Sequence, residues 1–256
     1  MLFFLQVQEV TAQVSASQDF VRAEVLRKEM KPDSAIFYYE RAITGFISIG
    51  QKQRVLDTYN QLGVVLTRQD KYEAARVYLE KAERLAPEIP AVDSLGISTT
   101  YITLGVIEAA EKNVPASLQY HFKALGIRQR ILGEQHADVA TSYGNIGNVY
   151  FRRGDYDSAI VFHEKARIIR EKINGEKSAE VTQTYSNLGN AFKAKKDYTR
   201  ALIFYEQALA NKIQQLGADH KEAAKYYNNI ADVYLQADDK ILAVKYQQLA
   251  AKAIRP

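Results

Sequence analysis

Histidines and glycines are the residues of this chain that could most readily do chemistry, and their spacing argues against a catalytic centre. The stretch HEKAR at 163–167 begins like a zinc-protease helix but lacks the second histidine. The glycines form neither a GxGxxG fingerprint nor a phosphate-binding loop. There is no cysteine, so a thiolate nucleophile and a disulfide framework are excluded. The sequence therefore predicts no enzyme, no cofactor and no metal site.

Asparagines at matching positions are the strongest binding candidates. They form three groups, which are Asn145 with Asn148, Asn187 with Asn190, and Asn228 with Asn229 and Asp232. An asparagine inside a helix is unfavourable because its amide competes with the backbone. One interpretation is a ladder of amides that donates to and accepts from a bound peptide backbone. The alternative is that these amides satisfy neighbouring helices within the scaffold.

Apolar and basic residues complete the candidates. An apolar patch is predicted from Ile102, Thr103, Val106, Ala109 and Ala110, and it would suit an amphipathic partner segment or be covered by the chain's own N-terminus. Six basic residues are interpreted as solvated outer faces or as helix C-termini that complement the helix dipole, namely Arg128, Arg130, Arg170, Lys193, Lys195 and Lys196.

These residues belong to a repeat of 42 residues. Four registers keep this step: Gly63, Gly105, Gly147, Gly189 and Ala231; Tyr59, Tyr101, Tyr143, Tyr185 and Tyr227; Ala82, Ala124, Ala166, Ala208 and Ala250; and Tyr78, Tyr120, Phe162, Phe204 and Tyr246. A degenerate copy in residues 15–49 stands 40 positions before the second unit. The chain is thus predicted to hold six units, the first atypical as a terminal repeat should be.

Each unit is predicted to be a pair of helices. In the fourth unit, the apolar face Val139, Tyr143, Ile146, Gly147 and Tyr150 has helical spacing. Gly154 is expected to end that helix in a left-handed conformation, and Asp155 or Asp157 to cap the next one. Gly147 and Ala159 are predicted to form the close contact between the two helices because both are small.

This pattern of Tyr143, Ile146, Gly147, Tyr150, Ala159 and Ala166 resembles the tetratricopeptide repeat. The usual period is about 34 residues, whereas 42 is similar to the longer repeat of kinesin light chains. The resemblance implies an all-α fold, a right-handed α-solenoid of about six helical hairpins. It also implies a concave groove lined by the first helix of each pair. The groove residues would be Asn145, Asn148, Asn187, Asn190, Lys225, Asn228, Asn229, Asp232, Ile102 and Val106.

Some members of the family grip a peptide's C-terminal carboxylate with asparagines and basic residues from three consecutive first helices. Asn148, Asn187 and Lys225 match positions of that clamp. Gly144 and Asn229 stand where the family places the other basic groups. The resemblance therefore implies an incomplete clamp.

Composition and charge narrow the kinds of partner and the domain organisation that the chain can have. A chain of 256 residues with 47% hydrophobic residues is long enough to bury a substantial core. Its net charge of +4 comes from basic residues interleaved with acidic ones, which disfavours nucleic acid as a partner. No segment has the roughly 18 consecutive apolar residues that span a membrane. We expect a single domain from 15 to 256, with units at about 15–49, 51–86, 93–132, 136–174, 178–216 and 220–255.

The first 14 residues are expected to be either a frayed segment or the clipped end of a secretory signal, since the apolar run 2–5 is short and lacks a basic start. The compartment is therefore left open: cytoplasmic, or secreted or periplasmic if a signal was removed. The last helix has no polar cap after it, which favours either a longer protein or self-association through that end.

The predicted function is a non-enzymatic scaffold that binds a peptide segment or a protein partner in the groove. The alternative is the regulatory or sensor region of a longer signalling or effector protein. In bacteria, repeats like these often precede a CHAT protease or a histidine kinase, which is an association of the family and not a property of these residues.

Overall fold

The computed structural model describes the backbone of residues 2–89 and 95–254, and side chains from residue 13 onward. In these ranges the protein is helical, without a strand, and its helices form six consecutive pairs, which confirms the predicted all-α class. The helices are α1 (Leu2–Lys28), α2 (Pro32–Ser48), α3 (Lys52–Arg68), α4 (Tyr72–Leu85), α5 (Leu95–Ala110), α6 (Val114–Leu132), α7 (Ala137–Arg153), α8 (Tyr156–Asn174), α9 (Ala179–Ala194), α10 (Tyr198–Leu216), α11 (Lys221–Gln236) and α12 (Lys240–Ile254).

The turn inside each pair uses one residue in the left-handed region. Gly154 has φ 84° and ends α7, as predicted, and the Asp155 side chain caps α8 by accepting from the Ser158 N–H. The five equivalent positions carry other residues with φ between 57° and 63°, namely Met30, Asp70, Lys112, Lys196 and Asp238. Because a side chain in this region costs roughly 1–2 kcal/mol, hairpin geometry overrides local preference at these five turns.

The chain divides into two compact units, with the boundary between Ile131 and Leu132. In unit 1 the pairs α1–α2 and α3–α4 pack tightly, and α3 also contacts α5. The buried core there includes Tyr39, Phe46, Leu56, Leu62 and Leu79. In unit 2 the pairs α7–α8, α9–α10 and α11–α12 pack in the same way, and α8 contacts α9 as α10 contacts α11.

A glycine on the first helix receives a large side chain from the second helix in four of the pairs. A Cβ at Gly147 would stand 2.8 Å from the His163 ring, and one at Gly189 would stand 2.7 Å from the Tyr205 ring. Leu79 lies against Gly63 and His121 against Gly105 in the same way. The prediction that Gly147 meets Ala159 is therefore wrong, because the atoms nearest to Gly147 belong to His163.

Aromatic rings pack beside these glycines. The Phe162 ring lies 5.4 Å from Tyr150, and the Phe204 ring lies 5.5 Å from Phe192, both centroid to centroid and nearly parallel. Tyr234 and Tyr246 stack in the same way at 5.6 Å. The aromatic register that includes Phe162, Phe204 and Tyr246 thus forms a second contact within each pair of unit 2.

Both ends of the helical array carry exposed apolar residues. On α12, Ile241 is 85% exposed, and Val244 and Ile254 are exposed as well. α1 begins at Leu2, so the predicted N-terminal segment 1–14 is continuous with a helix whose side chains are described only from residue 13. Self-association through the α12 end stays a prediction. Among the helices described, none is both long and apolar enough to cross a membrane.

Candidate functional site

Polar side chains follow the first helices of unit 2 and form a surface that we call the amide face. It comprises Asn145 and Asn148 of α7, Asn187 and Asn190 of α9, and Lys225, Asn228, Asn229 and Asp232 of α11. Residues three or four apart lie on one side of a helix, so each group shares a face. None of these side chains is fully buried, and Asn148, Lys225 and Asn228 are exposed. α7 contacts α9 directly, which brings two groups side by side.

Hydrogen bonds connect the amides of α7 and α9. The Asn187 amide donates to Asn148 Oδ1 at 3.5 Å, and Gln183 donates to Asn187 Oδ1 at 3.0 Å. The longer contact is at the limit of a hydrogen bond, so it orders the two amides only weakly. A single weak amide–amide contact thus links α7 and α9, and the peptide-binding ladder stays a prediction.

Two members of the amide face are held by the scaffold. Asn190 Oδ1 accepts from the hydroxyl of buried Tyr205 at 2.6 Å. Asp232 accepts from Lys193 at 2.5 Å and from Gln236, and these hydrogen bonds, above all that from Lys193, lower the pKa of the Asp232 carboxyl. Asn190 and Asp232 therefore agree with the alternative that these polar residues satisfy neighbouring helices within the scaffold.

Four other members of the amide face have side chains without a hydrogen-bond partner among the described residues. The amides of Asn145, Asn228 and Asn229 make no hydrogen bond within the described part of the chain. Lys225 is exposed, and its Nζ lies 5.8 Å from the Tyr226 ring. These four residues can therefore bind a ligand without breaking an existing bond.

The side chain of Arg170, on α8, lies beside Gly144 of α7 and Thr184 of α9. Its Nη1 donates to the Thr184 hydroxyl at 2.7 Å, and its Nη2 would lie 3.5 Å from a Cβ at Gly144. Burial lowers the pKa of Arg170, with Glu180 acting in the opposite direction. No carboxylate among the described residues forms an ion pair with it. A partly desolvated cation thus lies beside Gly144, the position where this chain lacks a basic residue of the family's clamp.

The prediction of a solvated side chain is wrong at Arg128, whereas Lys193 lies in the last turn of α9, as the alternative of a helix C-terminus predicted. Arg128 is only 8% exposed, and its Nε donates to Ser98 at 3.2 Å. Lys193 is paired with Asp232, and Lys195 with Asp157. Their long side chains cross from one element to the next, and their charged ends are satisfied there.

Unit 1 presents the predicted apolar residues and a polar cavity that sequence reasoning missed. On α5, Val106 is 42% exposed, Ile102 is partly buried, and Thr103 is buried with its hydroxyl donating to the Thr99 carbonyl. The cavity, of 240 Å³, is lined by Phe20, Asp57, Asn60, Gln61, Gly96 and Thr99. Asn60 stands four steps of 42 residues before Asn228, so the same register could have revealed it.

The histidines have structural roles. His136 and His220 cap α7 and α11 by accepting backbone N–H groups at Nδ1. His121 and His163 are buried against the glycines, and burial lowers the pKa of each to about 4. No group of three potential metal ligands occurs in the residues that the structure describes.

Six helical hairpins with a repeating glycine contact, and a polar face along successive first helices, define a helical-repeat scaffold. A sequence profile of the tetratricopeptide repeat family matches residues 16–88, 96–172, 138–214 and 180–255. The chain belongs to the tetratricopeptide repeat family, whose repeats form protein-interaction scaffolds. Sequence comparison with curated proteins gave no match.

Solved structures agree on the fold. BtubC (BKLC) from P. vanneervenii is 19% identical, with a TM-score of 0.71 over 96% of this chain and 90% of that one. Kinesin light chain TPR-like repeats from Podosopora anserina are 15% identical, with a TM-score of 0.69 over 79% and 95%. A STAND protein with a tetratricopeptide repeat sensor from Pyrococcus horikoshii is 15% identical, with a TM-score of 0.68 over 92% of this chain and 40% of that one.

Proposed function

We propose that the amide face of unit 2 binds a peptide segment of a protein partner. The observation that carries this proposal is the set of amides without a hydrogen bond in the described part of the chain, Asn145, Asn228 and Asn229. On the same face, Asn190 and Asp232 are already held by the scaffold. Each free amide offers two donors and an acceptor, which matches the groups of a peptide backbone. Mid-helix asparagines without an internal partner have no role in stabilising the fold.

The partner segment carries a carboxylate near Gly144. Arg170 is the basis for this part of the proposal, because a partly buried guanidinium with no directly paired carboxylate among the described residues is costly, and a ligand carboxylate would neutralise it. Arginine pairs with carboxylate through two parallel hydrogen bonds. The amides would then bind the backbone while Arg170 fixes the position of an acidic group.

The test is selection of random decapeptides on the intact protein, followed by measurement of Kd. Replacing Asn145, Asn228 and Asn229 by alanine removes three amides without breaking any internal hydrogen bond, so we expect Kd to rise at least about tenfold. The matched control replaces Gln207, Gln214 and Gln248, exposed amides of second helices, by alanine. Equal weakening by both variants, or a failure to select any peptide, would contradict the proposal.

A sensor region within a longer protein is the second proposal. It is supported by the STAND protein, in which the matching part covers 40% of the chain and the tetratricopeptide repeats are a sensor. An antibody against this chain should then detect in source cells a protein heavier than 28.9 kDa. A single band at that mass would argue for the free scaffold.

A further inference from the structure

A cavity in unit 1 lies between the end of α2, the start of α3 and the end of α4. Its volume is 360 Å³, within the range of about 300–1,000 Å³ that is usual for small-molecule sites. The apolar lining is formed by Phe46, Ile47, Val55, Tyr59 and Leu85. We call it the α2–α4 cavity.

The rim of the α2–α4 cavity carries more positive than negative charge. Lys52, Lys81 and Arg84 line it together with one acid, Glu88. Lys52 pairs with Glu88 at 2.7 Å, whereas Arg84 has only a solvent-exposed contact with Glu80 at 3.9 Å. Such an exposed ion pair holds a side chain weakly. Lys81 and Arg84 therefore leave two positive charges available beside an apolar pocket.

Tyr59 is the residue that sets this cavity apart. It is 8% exposed, and its hydroxyl makes no hydrogen bond to any part of the chain that the structure describes. Burial raises the pKa of Tyr59, while the nearby Arg84 guanidinium acts in the opposite direction. The Tyr59 ring is mostly buried, but its hydroxyl has no acceptor within the described residues and lies close to a cation, so it can donate to a ligand in the cavity.

One of the three equivalent tyrosines in unit 2, Tyr185, has an acceptor that Tyr59 lacks. Tyr185, three repeat steps later, donates to the Glu171 carboxylate at 2.8 Å. The position that corresponds to Glu171 in the first hairpin is Ile47, two steps of 42 and one of 40 residues earlier. Ile47 lines the α2–α4 cavity and supplies an apolar surface in place of the carboxylate.

We propose that the α2–α4 cavity binds a small apolar carboxylate. Its carboxylate takes the place that Glu171 has in unit 2, accepts from the Tyr59 hydroxyl and pairs with Arg84 and Lys81. Its apolar body packs against Phe46, Val55 and Leu85. The chain would thus bind a small molecule at a site separate from the amide face, and this inference does not depend on the peptide-binding proposal.

The probe is phenylbutyrate, with phenylbutyramide as the neutral molecule of the same shape. Titration followed by methyl NMR should move the resonances of Val55 and Leu85 and leave those of Val139 and Leu188 in unit 2 unchanged. From the efficiency of small ligands we expect Kd of about 0.1–3 mM for the acid. The amide should bind about tenfold more weakly, because it brings no charge to Arg84.

Two conservative variants test the contacts. Tyr59→Phe removes one hydroxyl and Arg84→Gln removes one exposed charge, so both should keep the fold and raise Kd about tenfold or more. The controls are Tyr227→Phe, at the position equivalent to Tyr59, and Lys123→Gln, which removes an exposed charge at the position equivalent to Lys81; neither residue lines the cavity. Three results would overturn the inference: no saturable shift up to about 10 mM, equal binding of acid and amide, or unchanged Kd in both cavity variants.

Discussion

Two buried imidazoles should make the stability of this protein depend on pH. His121 and His163 are 2% and 1% exposed, and burial lowers the pKa of each from 6.5 to about 4, helped at His163 by Arg170. The Nδ1 atom of each lacks a hydrogen-bond partner within the described residues. Neutral imidazole is thus the form that fits against Gly105 and Gly147.

The sign of the effect follows from proton binding. Between pH 6.5 and 4 the unfolded chain binds protons that the folded chain excludes, so the free energy of unfolding falls as pH is lowered through that window. Above pH 6.5 the two histidines do not affect the free energy of unfolding, and below pH 4 their effect changes no further. From pH 7 to pH 5 the loss is about 2 kcal/mol for each histidine.

The assay is urea unfolding at pH 7, 6 and 5, comparing the wild type with His121→Leu and His163→Leu, singly and together. Leucine already fills this position at Leu79 against Gly63, so the fold should accept it. Each replacement should abolish about 2 kcal/mol of the pH-dependent loss, and should not lower stability at pH 7, since it removes an unpaired buried nitrogen. A double variant with the same pH dependence as the wild type would refute the reasoning.

Three further changes can be predicted from backbone geometry and packing. Gly189→Leu should cost about 1–3 kcal/mol or more, because its side chain would overlap buried Tyr205. Gly126→Ala, where nothing lies within 4 Å, should gain about 0.5–1 kcal/mol from helix propensity. Chemical denaturation distinguishes the two variants by opposite shifts in midpoint. Lys196→Gly should stabilise the protein by about 0.5–1 kcal/mol, because Lys196 is held at φ 61°. An unchanged or lower melting temperature for that variant would contradict a cost of the left-handed turn.

The repeat pattern was sufficient to predict the hairpins because packing between helices imposes a fixed spacing. It also predicted the turn at Gly154, where residue type and geometry agree. The same turn at Lys196 was not predictable from residue type, since the closure of the hairpin determines its φ. Gly147 was paired with the wrong residue because a small partner was assumed, whereas the cavity beside a glycine admits the whole ring of His163.

Predictions for the amide face depended on contacts that are distant in sequence. Asn190 was indistinguishable from Asn148 in the repeat, and only the hydroxyl of Tyr205, 15 residues later on the paired helix, ties it to the scaffold. Arg170 could not be separated from solvated basic residues, because its desolvation arises from Gly144 and Thr184 on two other helices. Sequence periodicity assigns a residue to a face, and the tertiary neighbours decide whether it is available.

In four of the hairpins, side chains of different types pack against the same glycine position. Leucine at 79, histidine at 121 and 163, and tyrosine at 205 fill the same space behind a glycine, at a constant step along the chain. Acid lability is therefore a property of individual modules. Moving a histidine from one module to another would relocate the hairpin that opens first in an acidic compartment, while the surface that meets a partner keeps its composition.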